Sequence, residues 1–71
     1  MSSEELVKAL VRLEDEVTVH ETDGKRLIAQ RYNANRRPYV GFWMGGKKVA
    51  AHQLASLSDG AINVIIAECF N

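Results

Sequence analysis

Apolar residues recur at helical spacing near the N-terminus of the chain. They are Leu6, Leu10, Leu13 and Val17. This spacing predicts a helix that buries one stripe. Ser2 and Glu5 have the form of a capping box, so we expect the helix to begin there. An acidic run is unfavourable at the negative end of a helix, and the helix should therefore end near Glu14.

A second helical pattern lies at the C-terminal end, after the N-cap signal Ser58-Asp59-Gly60. Its apolar stripe consists of Ile62, Ile65, Ile66, Cys69 and Phe70. We interpret Cys69 as a small core residue, since no base or cation adjoins it in the sequence.

Between the helices the pattern changes to the alternation of strands, with two strong turn signals. Asp23-Gly24 predicts a first hairpin and Gly45-Gly46 a second. Residues 33–37 form a polar stretch that predicts a turn, and Pro38 places the start of the third strand at or just after itself. The stretch 47–58 fits strand or helix, and we favour a fourth strand.

The expected fold is α+β: an antiparallel sheet of three to four strands, made of two hairpins, with the N-terminal and C-terminal helices packed on one face. Counting outward from each turn assigns the faces. In the first hairpin Val17, Val19 and Ile28 should face the core. In the second, Val40, Phe42, Val49 and Ala51 should face the core, and Tyr39, Trp43, Lys48 and His52 the other side. The predicted core is Leu10, Leu13, Val19, Ile28, Phe42, Ile62, Ile65 and Ile66.

Composition narrows the class of protein. A chain of 71 residues, 46% hydrophobic and 25% charged, is typical of a single small globular domain. One cysteine cannot form an internal disulfide, and neither a signal peptide nor a membrane span is recognisable. A cytoplasmic location without membrane attachment is the expectation.

The charge distribution adds a functional hint that the net charge of zero conceals. Residues 1–23 contain seven acids and two bases, residues 24–53 seven bases and no acid, and residues 54–71 two acids. Such segregation favours a basic face for a polyanion or an acidic partner, although a charge run is also typical of any solvated face.

The stretch 36–52 combines these bases with aromatic rings. Flat rings flanked by cations are surfaces on which nucleic-acid bases stack. We therefore predict nucleic-acid binding, to RNA or DNA, by Arg31, Arg36, Arg37, Tyr39, Trp43, Lys47, Lys48 and His52. Tyr39 and Trp43 could instead cover the sheet beneath a helix. Gly41, between them, indicates a bulge or a close approach to the backbone.

Enzymatic chemistry has weaker support in the sequence. His20 and His52 could act as acid and base on a phosphodiester if both lay on the open side of the sheet, but nothing fixes their spacing. With Cys69 they are the only soft metal ligands, without a short-range pair. We expect no catalysis, metal or cofactor.

Three segments carry a resemblance to a known family. EELVKAL resembles the first helix of double-stranded-RNA-binding domains, EVTVHETDG their first strand and loop, and GGKKVA the lysine-bearing start of their second helix. The resemblance implies contacts across two minor grooves of RNA. MSSEELVKAL is also similar to the first helix of small HicA-like ribonuclease toxins, whose Gly-Ser-His-His core is missing here.

A protein-binding role is the alternative hypothesis. Trp, Tyr and Arg also dominate protein interfaces, so the same face could dock an acidic protein surface, as in a small inhibitor or adaptor of the mobile-element or phage type. An open sheet edge could equally pair two copies of the chain.

Overall fold

The computed structural model describes residues 2–11 and 16–71 and shows an α+β fold. Its elements are α1 (Ser3–Val11), β1 (Val17–Thr22), β2 (Lys25–Ala34), β3 (Arg37–Met44), β4 (Lys47–Gln53), a 3-10 turn (Leu54–Ser56) and α2 (Asp59–Phe70). The strands form a four-stranded antiparallel sheet in the order β1-β2-β3-β4. The predicted fold class and fourth strand are confirmed.

Both helices begin where their capping signals predict. The Ser2 hydroxyl accepts a hydrogen bond of 3.2 Å from the Glu5 N–H. At the start of α2, the Ser58 hydroxyl accepts one of 3.1 Å from the Ala61 N–H. Each serine satisfies a donor that the helix itself leaves free. Neither helix in the described part of the chain has the length and apolar character needed to cross a membrane.

One carboxylate joins the starts of the two helices. The N–H of Ser3, the first residue of α1, donates a hydrogen bond of 2.6 Å to Oδ1 of Asp59, the first residue of α2. The backbone and then the hydroxyl of Ser3 hold the pKa of Asp59 below its ordinary value of 3.8. Asp59 therefore places a negative charge at two positive helix ends.

A β-bulge decides the faces of the first hairpin. Pairing follows the predicted register from the turn to His20 opposite Leu27, and then shifts so that Thr18 lies opposite Ile28. The extra residue is Val19. The shift puts Leu27 and Ala29, both fully buried, on the core face. The assignment of Ile28 to the core was wrong. In the unshifted register Ile28 would share a face with Val17 and Val19, but the bulge places Leu27 and Ala29 on that face instead.

The hairpin of β3 and β4 also contains a β-bulge. The glycines Gly45 and Gly46 make the predicted turn, with φ of 60° and 78°. The register then shifts beyond Trp43, so that Phe42 pairs with Ala50 and Val40 with His52. Val49 is passed over in the pairing and is 42% exposed. The expected core positions of Val49 and Ala51 were therefore wrong, since the extra residue reverses the alternation beyond it.

The hairpin of β2 and β3 is tighter than the polar stretch 33–37 indicates. β2 continues to Ala34 and β3 begins at Arg37, leaving only Asn35 and Arg36 in the turn. Both have positive φ, 51° and 63°, which matches a two-residue turn of the type that follows the twist of the strands. Strand pairing therefore extends further than the sequence predicted.

The core lies between one sheet face and the two helices. Of the predicted core, Leu10, Val19, Phe42, Ile62 and Ile65 are buried, and Ile66 and Cys69 pack partly buried against them. The predictions for Leu13 and for a helix end near Glu14 lie outside the described residues. Further buried residues are Leu6, Val17, Leu27, Ala29, Val40 and Leu54.

Candidate nucleic-acid interface

The sheet turns its second face away from the core. The buried residues of both helices cluster with Leu27, Ala29, Val40 and Phe42 of the central strands. Because side chains alternate along a strand, the residues between these point to the opposite side. We call that side the open face; its aromatic residues are Tyr32, Tyr39 and Trp43.

Two tyrosines form a stacked pair on the open face. Tyr32 of β2 lies directly opposite Tyr39 of β3, and their ring centroids are 5.6 Å apart with planes 20° from parallel. Both side chains are half-buried. Tyr32 was absent from the predicted site; a two-residue turn at Asn35 and Arg36 is the signal that would have placed it opposite Tyr39. The pair is preformed, and because each ring covers part of the other, the outer ring face remains for a further flat group.

Lys48 reaches the tyrosine pair from the edge strand β4. Its Nζ donates a hydrogen bond of 3.1 Å to the Tyr32 hydroxyl. The same Nζ atom lies 4.4 Å from the ring centroid of Tyr32 and 5.6 Å from that of Trp43. The lysine side chain thus crosses over β3 to contact β2. A cation held within about 6 Å of two rings is stabilised by their electron-rich faces. Its charge lies at the centre of the aromatic surface.

The Trp43 ring lies against Gly41 on the open face. A Cβ added at residue 41 would overlap Cη2 and Cζ3 of Trp43. Of the two readings of Gly41 in the sequence, a bulge or a close approach, the structure shows the second: the indole of the same strand occupies the space. The glycine therefore sets where the ring lies between the tyrosine pair and the hairpin turns.

An open depression of about 290 Å³ adjoins Trp43 at the end of the open face. It lies between the turns of the first and last hairpins and is lined by Gly24, Arg26, Ile28, Trp43, Gly45 and Gly46. Arg26 Nη2 is 3.4 Å from Oε1 of Glu16, in a surface ion pair with both side chains about half exposed. Such a pair contributes at most about 1 kcal/mol.

The part of the open face around the aromatic rings carries positive charge without a carboxylate partner, whereas Glu16 and Glu21 lie beside Arg26 at its other end. Within residues 2–11 and 16–71, the ion pairs are Lys8 with Glu4 and Arg26 with Glu16. Lys48 and Arg37 are on the face itself, because Lys48 pairs with Trp43 and Arg37 alternates with Tyr39. Arg36 occupies the neighbouring turn. Cations that lack a carboxylate partner are available to a bound anion.

The structure brings together part of the predicted site. Tyr39, Trp43 and Lys48 meet on the open face, with Arg37 on the same face and Arg36 in the neighbouring turn. Lys47 pairs with Met44, which packs against the core, and therefore lies on the helix-covered side of the sheet. Two other predicted positions were also wrong. His52 and Arg31 both pair with Val40, whose side chain is fully buried, and therefore belong to the helix-covered face. For His52 the reason is the residue inserted at Val49, and for Arg31 it is the strand alternation that it shares with Leu27 and Ala29.

The histidines do not form a common site. His20 packs edge-on against Phe70, with centroids 4.7 Å apart, and His52 lies 6.4 Å from Phe42. They belong to the outer strands β1 and β4, which are about 14 Å apart across three strand spacings. Both lie on the helix-covered side, because His20 pairs with Leu27 and His52 with Val40, so the condition for acid and base chemistry on the open side is not met. In the described part of the chain, no cluster of three His, Cys, Asp or Glu residues could hold a metal ion.

Comparison of the chain with protein-family models, with curated proteins and with solved structures finds no match.

Proposed function

We propose that this protein is a non-enzymatic nucleic-acid-binding protein that uses the open face. The observation that carries the proposal is the meeting of Tyr32, Tyr39 and Trp43 with Lys48 on a sheet face turned away from the helices. Stacking on such rings contributes about 1 to 3 kcal/mol per base and tolerates any sequence. Backbone and stacking contacts, rather than readout of base edges, then provide the affinity.

The cations around the rings supply the phosphate contacts. Lys48 lies among the rings, Arg37 on the same face, and Arg36 in the turn beside it. Residues 24–53 contain no acid that would repel phosphate. Each phosphate contact releases a counterion, so binding should weaken steeply as salt is added.

The single tryptophan provides a direct test, because Trp43 is itself part of the proposed interface. Tryptophan emission is followed while DNA and RNA oligonucleotides are added at low salt, and the titration is repeated at higher salt. Quenching with an affinity that falls as salt rises supports the proposal. Absence of quenching, with no binding tighter than about 10⁻⁴ M, contradicts it.

A protein partner is the second candidate, favoured by an observation at the edge strand β4. Val49 and Ala51 are exposed there, beside the backbone of a strand that pairs with β3 alone in the part of the chain that the structure describes. Such an edge can add a strand from an acidic protein or from a second copy of the chain. Binding to a protein that persists at high salt, without competition by oligonucleotides, would favour this function. The cytoplasm remains the expected compartment for both.

A further inference from the structure

We infer that the open face binds nucleic acid as a single strand whose bases are unpaired; this inference rests on the proposed function and specifies its ligand. The rings of Tyr32, Tyr39 and Trp43 lie on a sheet surface and not on a protruding helix or loop. What such a surface can touch depends on how the nucleic acid presents its bases.

The width of the sheet argues against a duplex. Its outer strands are about 14 Å apart, before their side chains are counted, whereas the major groove of B-DNA is about 12 Å wide. In RNA helices the major groove is narrow and deep, and the shallow minor groove displays hydroxyls and base edges. Neither duplex offers base faces to rings lying on a sheet. Only unpaired bases can stack on Tyr39 or Trp43.

The rings are already held in place for such a ligand. Tyr32 and Tyr39 stack on each other, Lys48 bonds to the Tyr32 hydroxyl, and the indole of Trp43 rests on Gly41. Side chains ordered before binding lose less conformational entropy when the ligand arrives. A flexible single strand can then adapt its backbone to rings whose spacing is fixed.

The depression beside Trp43 offers a place for one further base. Its 290 Å³ are bounded by the indole, the side chain of Ile28 and the glycine backbone of the last hairpin turn. Arg26 lines the same depression, but it pairs with Glu16 and lies opposite Glu21, so the depression suits an uncharged base better than a phosphate. The single strand would therefore run along β3, from the tyrosine pair past Trp43 towards the two hairpin turns.

The test compares one sequence of about 10 nucleotides as a labelled single strand and as its complementary duplex, by fluorescence anisotropy at constant salt. We expect the single strand to bind at least about tenfold more tightly, the change that loss of one or two stacked bases would produce. In Trp43→Ala this preference should shrink, whereas Trp43→Phe, which keeps a ring, should retain most of it. Circular dichroism confirms that both variants fold.

The outcomes separate this inference from the proposed function. Equal or tighter binding of the duplex would overturn the inference and leave nucleic-acid binding intact. Failure of both forms to bind would overturn the proposed function itself. An unchanged preference in a folded Trp43→Ala variant would show that stacking on this ring does not select the single strand.

Discussion

The indole of Trp43 lies in the space that a Cβ of residue 41 would occupy, so Gly41 and Trp43 form one structural unit of the open face. Gly41 is itself buried although it has no side chain, because the ring covers it. A ring lying over a strand glycine protects the backbone there and keeps one indole surface available to a ligand. The position of the proposed stacking surface therefore depends on a residue without a side chain.

Gly41→Ala should displace the indole. The new methyl group overlaps Cη2 and Cζ3 of Trp43, and such overpacking costs about 1 to 3 kcal/mol unless the ring moves away. We expect a red-shifted tryptophan emission, a lower melting temperature and weaker binding of single-stranded oligonucleotides. Fluorescence spectra and thermal melts measure these effects.

Gly60→Ala is the matched control. A Cβ at Gly60, in the first turn of α2, would meet only Ser58 Oγ at 3.9 Å. Alanine in a helix is favoured over glycine by roughly 0.5 to 1 kcal/mol, so this variant should melt at the same or a higher temperature. Similar emission spectra and melting temperatures for the two variants would show that Gly41 does not determine the position of the Trp43 ring.

Lys48→Ala should change the salt dependence of binding. Loss of the ammonium beside Tyr32 and Trp43 removes about one phosphate contact, which lowers the slope of log affinity against log salt by about one unit. Lys8→Ala removes the same charge from α1, where Lys8 pairs with Glu4, and should leave the slope unchanged. Equal slopes for the Lys48 variant and the parent protein would place the phosphate contacts elsewhere.

Ile65→Ala should destabilise the domain strongly. Ile65 of α2 is 5% exposed within the core, and truncation of such a side chain typically costs about 2 to 5 kcal/mol. Its neighbour Val64 is 56% exposed, so Val64→Ala is the control and should change stability by less than about 0.5 kcal/mol. Urea unfolding followed by circular dichroism gives both values. Comparable losses would mean that α2 docks through another face.

Asp59→Asn should reduce stability in a manner that depends on pH. The hydrogen bonds from Ser3 lower the pKa of Asp59 in the folded state, so its charge stabilises the fold at pH above the ordinary value of 3.8. This contribution is lost as the pH falls through the folded-state pKa. The melting temperatures of the parent and the variant should differ at neutral pH and converge in acid. A difference independent of pH would exclude a role for the charge.

Local signals explain which features of the fold could be predicted. The caps at Ser2 and Ser58, and the turns at Gly24 and Gly45, depend on residues within a few positions of each other, and all form where expected. The four strands and their order follow from these turns. The turn within residues 33–37 was also predicted, but not that it consists of Asn35 and Arg36 alone, because Arg36 is an unusual residue at positive φ.

The faces of the strands could not be predicted in the same way. The first and the last hairpin each contain one extra residue. The position of that residue depends on which apolar side chains the helices bury, and this is a property of the whole fold and not of the local sequence. One residue at Val49 moved His52 out of the proposed site, while Trp43 and Lys48, between the bulge and the turn, kept their predicted pairing. The sequence therefore predicted best those site residues that lie nearest to a glycine turn.

The most direct test of the proposed interface is an NMR titration of the isotope-labelled protein with a single-stranded oligonucleotide at low salt. We expect the ring signals of Tyr32, Tyr39 and Trp43 and the amide signals of β3 to shift as ligand is added. The signals of α2, on the other side of the sheet, should stay nearly unchanged. Shifts concentrated in α2, or no shifts at millimolar ligand, would contradict binding by the open face.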